Sequence, residues 1–249
     1  VKQFLSGLLL VLLLGCASDG NRSQSAEQKL AIAKIHTELA ASYFQRSQFA
    51  ISLQEIDVAL QAKVDYAPAY NVRGLVRMAL REDARAEADF RYSLELDARN
   101  SEAHNNYGWF ICQRGREREA IGHFTEALNN PLYETPEIPN VNAGICAQRL
   151  GEINVADEYF QRALMLKPNQ AEALIALAEL NFGKADYLAA RTYFLRYIQQ
   201  SSELTPAQLY LAVKIERKLG NRDAEQSFTL QLRKRFPDSR EVQQLASGE

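Results

Sequence analysis

"AYNVRGLVRM" (69–78), "AHNNYGWFIC" (103–112), "NAGICAQRLG" (142–151) and "ALIALAELNF" (173–182) each carry one small residue amid larger apolar ones. Followed along the whole chain, that small residue recurs at Ala40, Gly74, Gly108, Gly144, Ala178 and Ala212, in steps of 34, 34, 36, 34 and 34. Twelve residues after each comes a second small position: Ser52, Ala86, Ala120, Ala156, Ala190 and Ala224. Four further on stands a large apolar residue: Ile56, Phe90, Phe124, Phe160, Phe194 and Phe228. A third, looser small position holds Ala59, Ser93, Ala127, Ala163, Tyr197 and Gln231. Unrelated amphipathic helices would not hold phase over five steps, so the period describes one repeated structural unit.

The pattern resembles the tetratricopeptide repeat. That resemblance implies an all-α fold, a right-handed superhelical solenoid of six helix-turn-helix units at 33–66, 67–100, 101–134, 137–170, 171–204 and 205–238. The physical logic supports it. Small residues let the two helices of a hairpin approach closely, and the aromatic fills the space beside them. No hairpin buries its apolar face alone, so neighbours must stack. Gly115, Gly151 and Gly220 stand where the first helix (helix A) must turn into the second (helix B). Two extra residues at 135–136 fall within "NNPLYETPEIPN" (129–140), whose three prolines are expected to interrupt any helix. The last unit drifts, with Gln231 at a small position, and residues 239–249 are expected to cap the array or fray.

Composition sets the wider frame. With 249 residues, 47% apolar and 24% charged, the chain falls with ordinary globular proteins. A formal net charge of −2 gives no electrostatic basis for binding nucleic acid, and the densest basic run, "RKR" (233–235), is too short to be more than a solvated helix face. The chain shows no Gly-rich phosphate loop, no Cys/His cluster at metal spacing and no nucleophile elbow. A catalytic site, a metal and a cofactor are therefore not expected, and His36 and His104, at the repeat position also held by Tyr70, read as packing residues.

The N-terminus sets the expected compartment. Lys2 followed by an apolar run from Phe4 to Leu14 reads as a signal peptide over 1–15, too short to span a bilayer. It ends in "LLLGCASDG" (12–20), which resembles the bacterial lipobox. The resemblance implies cleavage before Cys16, a thioether-linked lipid on its sulfur and acylation of its amine; Ala17, in place of an aspartate, implies the outer membrane. The alternative is an unmodified cysteine beside an ordinary cleavage site. Residues 16–32, with "SDGNRSQSAEQ" (18–28) at their centre, then read as a polar tether. With Cys16 consumed, Cys112 and Cys146 remain as an even pair in an oxidising compartment. Both fall late in helix A of neighbouring units, where a disulfide is sterically reasonable; two buried apolar thiols are the alternative.

In a solenoid of this kind helix A lines the inner wall at repeat positions two, five, nine and twelve. Those positions, with the amide beside one of them, give Phe44, Asn71, Leu75, Met78, Asn105, Asn106, Trp109, Val141, Ile145, Ile175 and Phe182 as the candidate groove, with Val213 beyond. The row is apolar with a few amides, better suited to an extended or helical apolar segment than to a terminal carboxylate. Trp109, the sole tryptophan, is the candidate anchor; simple packing between helices is the alternative.

Three stretches, "NNYGWFIC" (105–112), "YLAARTYFLRYIQQS" (187–201) and "LQLRKRFPDSREVQQL" (230–245), resemble the PilF/PilW-type lipoproteins of type IV pilus biogenesis over essentially the full chain. The resemblance implies a lipid-anchored outer-membrane protein whose folded part faces the periplasm. It implies secretin subunits and other pilus biogenesis proteins as partners, and a role in secretin assembly or pilus stability. The alternatives are a tetratricopeptide lipoprotein of the β-barrel insertion machinery and a structural tether with no secretin client.

Overall fold

The computed structural model describes residues 17–201 and 203–247, which contain thirteen helices and no strand. Twelve helices follow one another as six A–B pairs in chain order. These are α1 (Ala17–Gln45) with α2 (Phe49–Ala62), α3 (Ala67–Ala79) with α4 (Asp83–Leu96), and α5 (Ser101–Cys112) with α6 (Glu117–Leu128). They continue as α7 (Glu137–Arg149) with α8 (Ile153–Leu166), α9 (Ala171–Gly183) with α10 (Tyr187–Ile198), and α11 (Pro206–Lys218) with α12 (Arg222–Arg235). A short α13 (Arg240–Ser247) follows. The fold is that of the tetratricopeptide repeat. The chain divides into two compact units, 1–110 and 111–249.

All six hairpins turn in the same way. A residue with positive φ follows each helix A: Ser47, Arg81, Gly115, Gly151, Ala185 and Gly220. The next amide bonds back to the carbonyl five residues earlier, as in Glu82 N to Arg77 O (2.9 Å) and Asp186 N to Asn181 O (2.9 Å). That bond satisfies a carbonyl that the helix end leaves orphaned. Glycine supplies the left-handed conformation in three of the turns; serine, arginine and alanine adopt it against their intrinsic preference in the others.

The repeated residues form the interior. Ile56, Phe90, Phe124 and Phe160 are fully buried, as are the small residues at Ala40, Ser52, Ala86, Ala120, Ala156 and Ala190. The close approach is literal at two glycines. A Cβ at Gly74 would lie 2.7–2.9 Å from the Phe90 ring, and one at Gly144 would lie 2.6–2.9 Å from the Phe160 ring. Where serine replaces alanine it is satisfied locally: Ser52 Oγ donates to Ala40 O and Ser93 Oγ to Ala67 O, each at 2.8 Å. In the first compact unit the acidic Asp89 is buried between two cations, bidentate to Arg73 (2.8 and 3.0 Å) and 2.7 Å from Arg77. In the second compact unit, Glu216 is held by Arg191 (2.9 Å) and Asn221 (2.9 Å).

Three parts of the chain can be described more closely. Residues 17–32, expected as a polar tether, form the opening turns of α1, with every residue from Ser25 to Ala31 exposed. The run "AEQKLAIAK" (26–34) is made of good helix formers, and the helix of the first hairpin propagates into it. Second, only part of the proline-rich insertion is irregular: Pro139 sits within the first turn of α7, where its missing N–H has no helical partner to lose. Third, the end of the array is weakly buried, with Leu232 the one buried residue of α12 and none in α13. Val242 and Leu245 of α13 nevertheless pack partly against Leu209, Tyr210 and Leu232, so this helix covers the last hairpin.

Candidate functional site

Helix A of each unit presents its positions five, nine and twelve as one stripe, because i, i+4 and i+7 fall on one face. In the first compact unit, Phe44, Leu75, Met78, Asn106 and Trp109 are half-buried and form a surface. Asn71 and Asn105, expected on that surface, are 4% and 5% exposed. Position five lies where a helix A meets that of the next repeat, and Asn106 Nδ2 donates to Asn71 Oδ1 across that seam (3.2 Å). Asn105 Nδ2 donates in turn to Asn106 Oδ1 (3.4 Å) and Asn106 also reaches Glu102 Oε1 (3.3 Å). The two buried amides thus support the wall, and Asn106 is the one that faces outward. Trp109 keeps its indole N–H without a hydrogen bond among the described residues. A half-buried ring with a spare donor has the character of an interface anchor.

In the second compact unit, Ile145, Ile175 and Phe182 are half-buried against a core that includes Phe160, Leu174 and Leu177. Val141 belongs to that core and is 4% exposed, so it underlies the wall for the same reason as Asn71, and Val213 is fully buried. Sequence reasoning that sought apolar anchors passes over Glu179. It occupies position nine of the fifth unit, in a row that otherwise reads Ala41, Leu75, Trp109, Ile145 and Val213. A lone carboxylate in an apolar row is the signal that would have found it. Partial desolvation by its surroundings pushes the carboxyl of the exposed Glu179 above its ordinary value, while the positive charge of Lys214 acts in the other direction.

The two histidines, expected as packing residues at one shared repeat position, each have a polar partner, and the partners differ. His104 Nε2 lies 3.2 Å from Ala98 O, the same six-residue reach by which Tyr70 Oη donates to Val64 O (2.8 Å), whereas His36 Nδ1 pairs with Glu55 at 2.6 Å. Among the described residues no group of three His, Cys, Asp or Glu side chains could hold a metal ion, and no helix is long and apolar enough to cross a membrane. Cys16 lies outside the described residues.

Cys112 and Cys146 are joined in a disulfide, with Cα atoms 6.1 Å apart and both residues fully buried. It ties the end of α5 to α7, beside Arg149, whose Nη1 donates to Cys112 O at 3.1 Å. Between the two cysteines runs the longest loop of the array, 129–136.

The tetratricopeptide repeat family description matches residues 140–170. The type IV pilus assembly protein PilF of Pseudomonas aeruginosa is 28% identical over 248 residues, covering 98% of this chain and 97% of the relative. The crystal structure of PilW, described as a widely conserved type IV pilus biogenesis factor, superposes with a TM-score of 0.78 at 32% identity, over 86% of this chain and 98% of PilW. The structure of P. aeruginosa PilF superposes with a TM-score of 0.84 at 26% identity, over 89% of this chain and all of that one (100%).

Proposed function

The chain belongs to the PilF and PilW family of tetratricopeptide-repeat proteins, and from that membership we propose that it is a protein-binding scaffold of type IV pilus biogenesis that promotes assembly of the secretin channel at the outer membrane. The observation that carries this reading is that the likeness to PilF runs end to end, through 98% of this chain and 97% of the relative. A shared repeat alone would match a few units and leave the N-terminal and C-terminal segments unmatched.

The mechanism follows from the residues. Lipid on Cys16 confines the array to the membrane surface and raises its effective concentration near secretin subunits. The helix-A surface of the early repeats, with Trp109 and Asn106 at its most family-specific stretch, holds an apolar secretin segment until the subunits assemble. Tetratricopeptide arrays bind other proteins through such surfaces, and binding, not bond-making chemistry, is what half-buried apolar side chains and amides can supply.

The test is the heat-resistant secretin multimer, followed by immunoblot of separated membranes in wild type, a deletion strain and a Cys16→Ala strain. Multimer is expected to disappear on deletion and to form in the wrong membrane in Cys16→Ala. Normal multimer in the deletion, with pili lost or unstable, would move the function to the fibre. Normal multimer together with normal pili would remove the pilus assignment altogether.

A further inference from the structure

Ile175, Glu179 and Phe182 follow one another at i, i+4 and i+7 on α9 and so share one face. From α11, Lys214 extends its ammonium to this face, with Nζ 5.1 Å from the centroid of the Phe182 ring and 4.9 Å from that of Tyr210. Glu179 is open to solvent, and among the described residues it has neither a hydrogen bond nor an ion pair. Lys214, whose charge acts on Glu179, is held by two rings instead of by the carboxylate. The ammonium has found partners in the ring faces; the carboxylate, an acceptor with about four lone-pair sites, has found none. What Glu179 lacks among the described residues is a charged donor bonded to it directly.

We propose that the helix-A face of units five and six is a binding site for a peptide segment bearing an arginine, whose guanidinium pairs with Glu179 while its methylenes lie along Ile175 and Phe182. Arginine suits the place better than lysine. Its planar fork bonds a carboxylate through two parallel N–H groups, stacks on an aromatic face and sheds water more readily than an ammonium. Lys214 marks the same preference from within: the rings already accept a cation, and a flexible four-carbon stem can swing aside for another. An acidic segment would set its charge against Glu179. The raised carboxyl of Glu179 agrees with a group that ionises more readily once a cation sits beside it. This site differs in chemistry from the apolar, amide-edged surface around Trp109 and does not depend on the secretin reading.

The test is fluorescence anisotropy of the full chain with a labelled, end-blocked Leu-Arg-Leu-Arg-Leu peptide and its glutamine and glutamate counterparts. The arginine peptide is expected to bind about tenfold or more tightly than the glutamine peptide. Glu179→Gln, at an exposed position and nearly isosteric, should abolish that preference without moving the melting temperature. Lys214→Met, which keeps the stem and removes the competing charge, should tighten the arginine peptide. The proposal is overturned if arginine and glutamine peptides bind alike, or if the arginine peptide does not bind at millimolar concentration. It fails equally if Glu179→Gln leaves the preference intact, or if the glutamate peptide binds best and loses affinity with Lys214→Met.

Discussion

Phe160→Ala is expected to lower the stability of the chain by about 3–5 kcal/mol, read as a fall in the urea midpoint followed by circular dichroism. The size follows from where the ring lies. Phe160 is fully exposed to its neighbours and not at all to water, and it occupies the space that a side chain at 144 would fill, within 2.6–2.9 Å of a Cβ built there. The core it belongs to is rich in short side chains, among them Ala147, Ala156 and Ala163, which cannot reach into a void. Two helices locked at glycine distance cannot close further, so the cavity persists and its cost adds to the lost burial. Leu166→Ala, at a position 51% exposed on α8, should cost far less and serves as the control. A loss below about 1 kcal/mol for Phe160→Ala would mean that the ring is not the wedge of its hairpin.

Removing the disulfide should have a comparable effect. Cys112 and Cys146 are 34 residues apart, and closing a loop of that length restricts the unfolded chain by about 3–4 kcal/mol in the chain-entropy account. Cys112→Ala with Cys146→Ala is therefore expected to lower the stability by about that amount, and reductant should lower the wild type to the same level while leaving the variant unmoved. Both residues are fully buried, so reduction in the folded state requires opening and should be slow without denaturant. If the unfolded, unreduced chain gave two extra free thiols on titration, the bond would be absent and the prediction would fail.

Most of the fold is legible because the period is enforced by volume. Gly74 and Gly144 have to be small, since Phe90 and Phe160 lie against them, and a volume constraint of that kind leaves a mark in the residue type. The turns are less uniform. Gly115, Gly151 and Gly220 announce a left-handed residue, whereas Ser47, Arg81 and Ala185 take the same conformation without any signature. There the packing of the two helices fixes the turn and overrides local preference. The candidate surface was legible to the resolution of a stripe. Position five is buried at Asn71, Asn105 and Val141 because neighbouring A helices meet over it, a consequence of stacking that one hairpin's periodicity cannot express. Glu179 shows the converse: the row is visible, but only the placement of Lys214 over Phe182 and Tyr210 reveals which charge lacks a partner. The helical course of residues 17–32 likewise depends on α1 being nucleated by its packing against α2.

The thin burial of α12 and α13 has a consequence for how the chain comes apart. With Leu232 alone buried in α12, and α13 resting on partly covered contacts, little apolar area is lost when α12 and α13 open, whereas α11 before them stays anchored by buried Leu209, Val213 and Ile215. Opening and closing there need not involve the disulfide-tied centre, because repeat arrays sum their stability unit by unit. A protease meeting this end of the chain would find α12 and α13 open to it well before α11. The chain is thus built to lose length before it loses its fold.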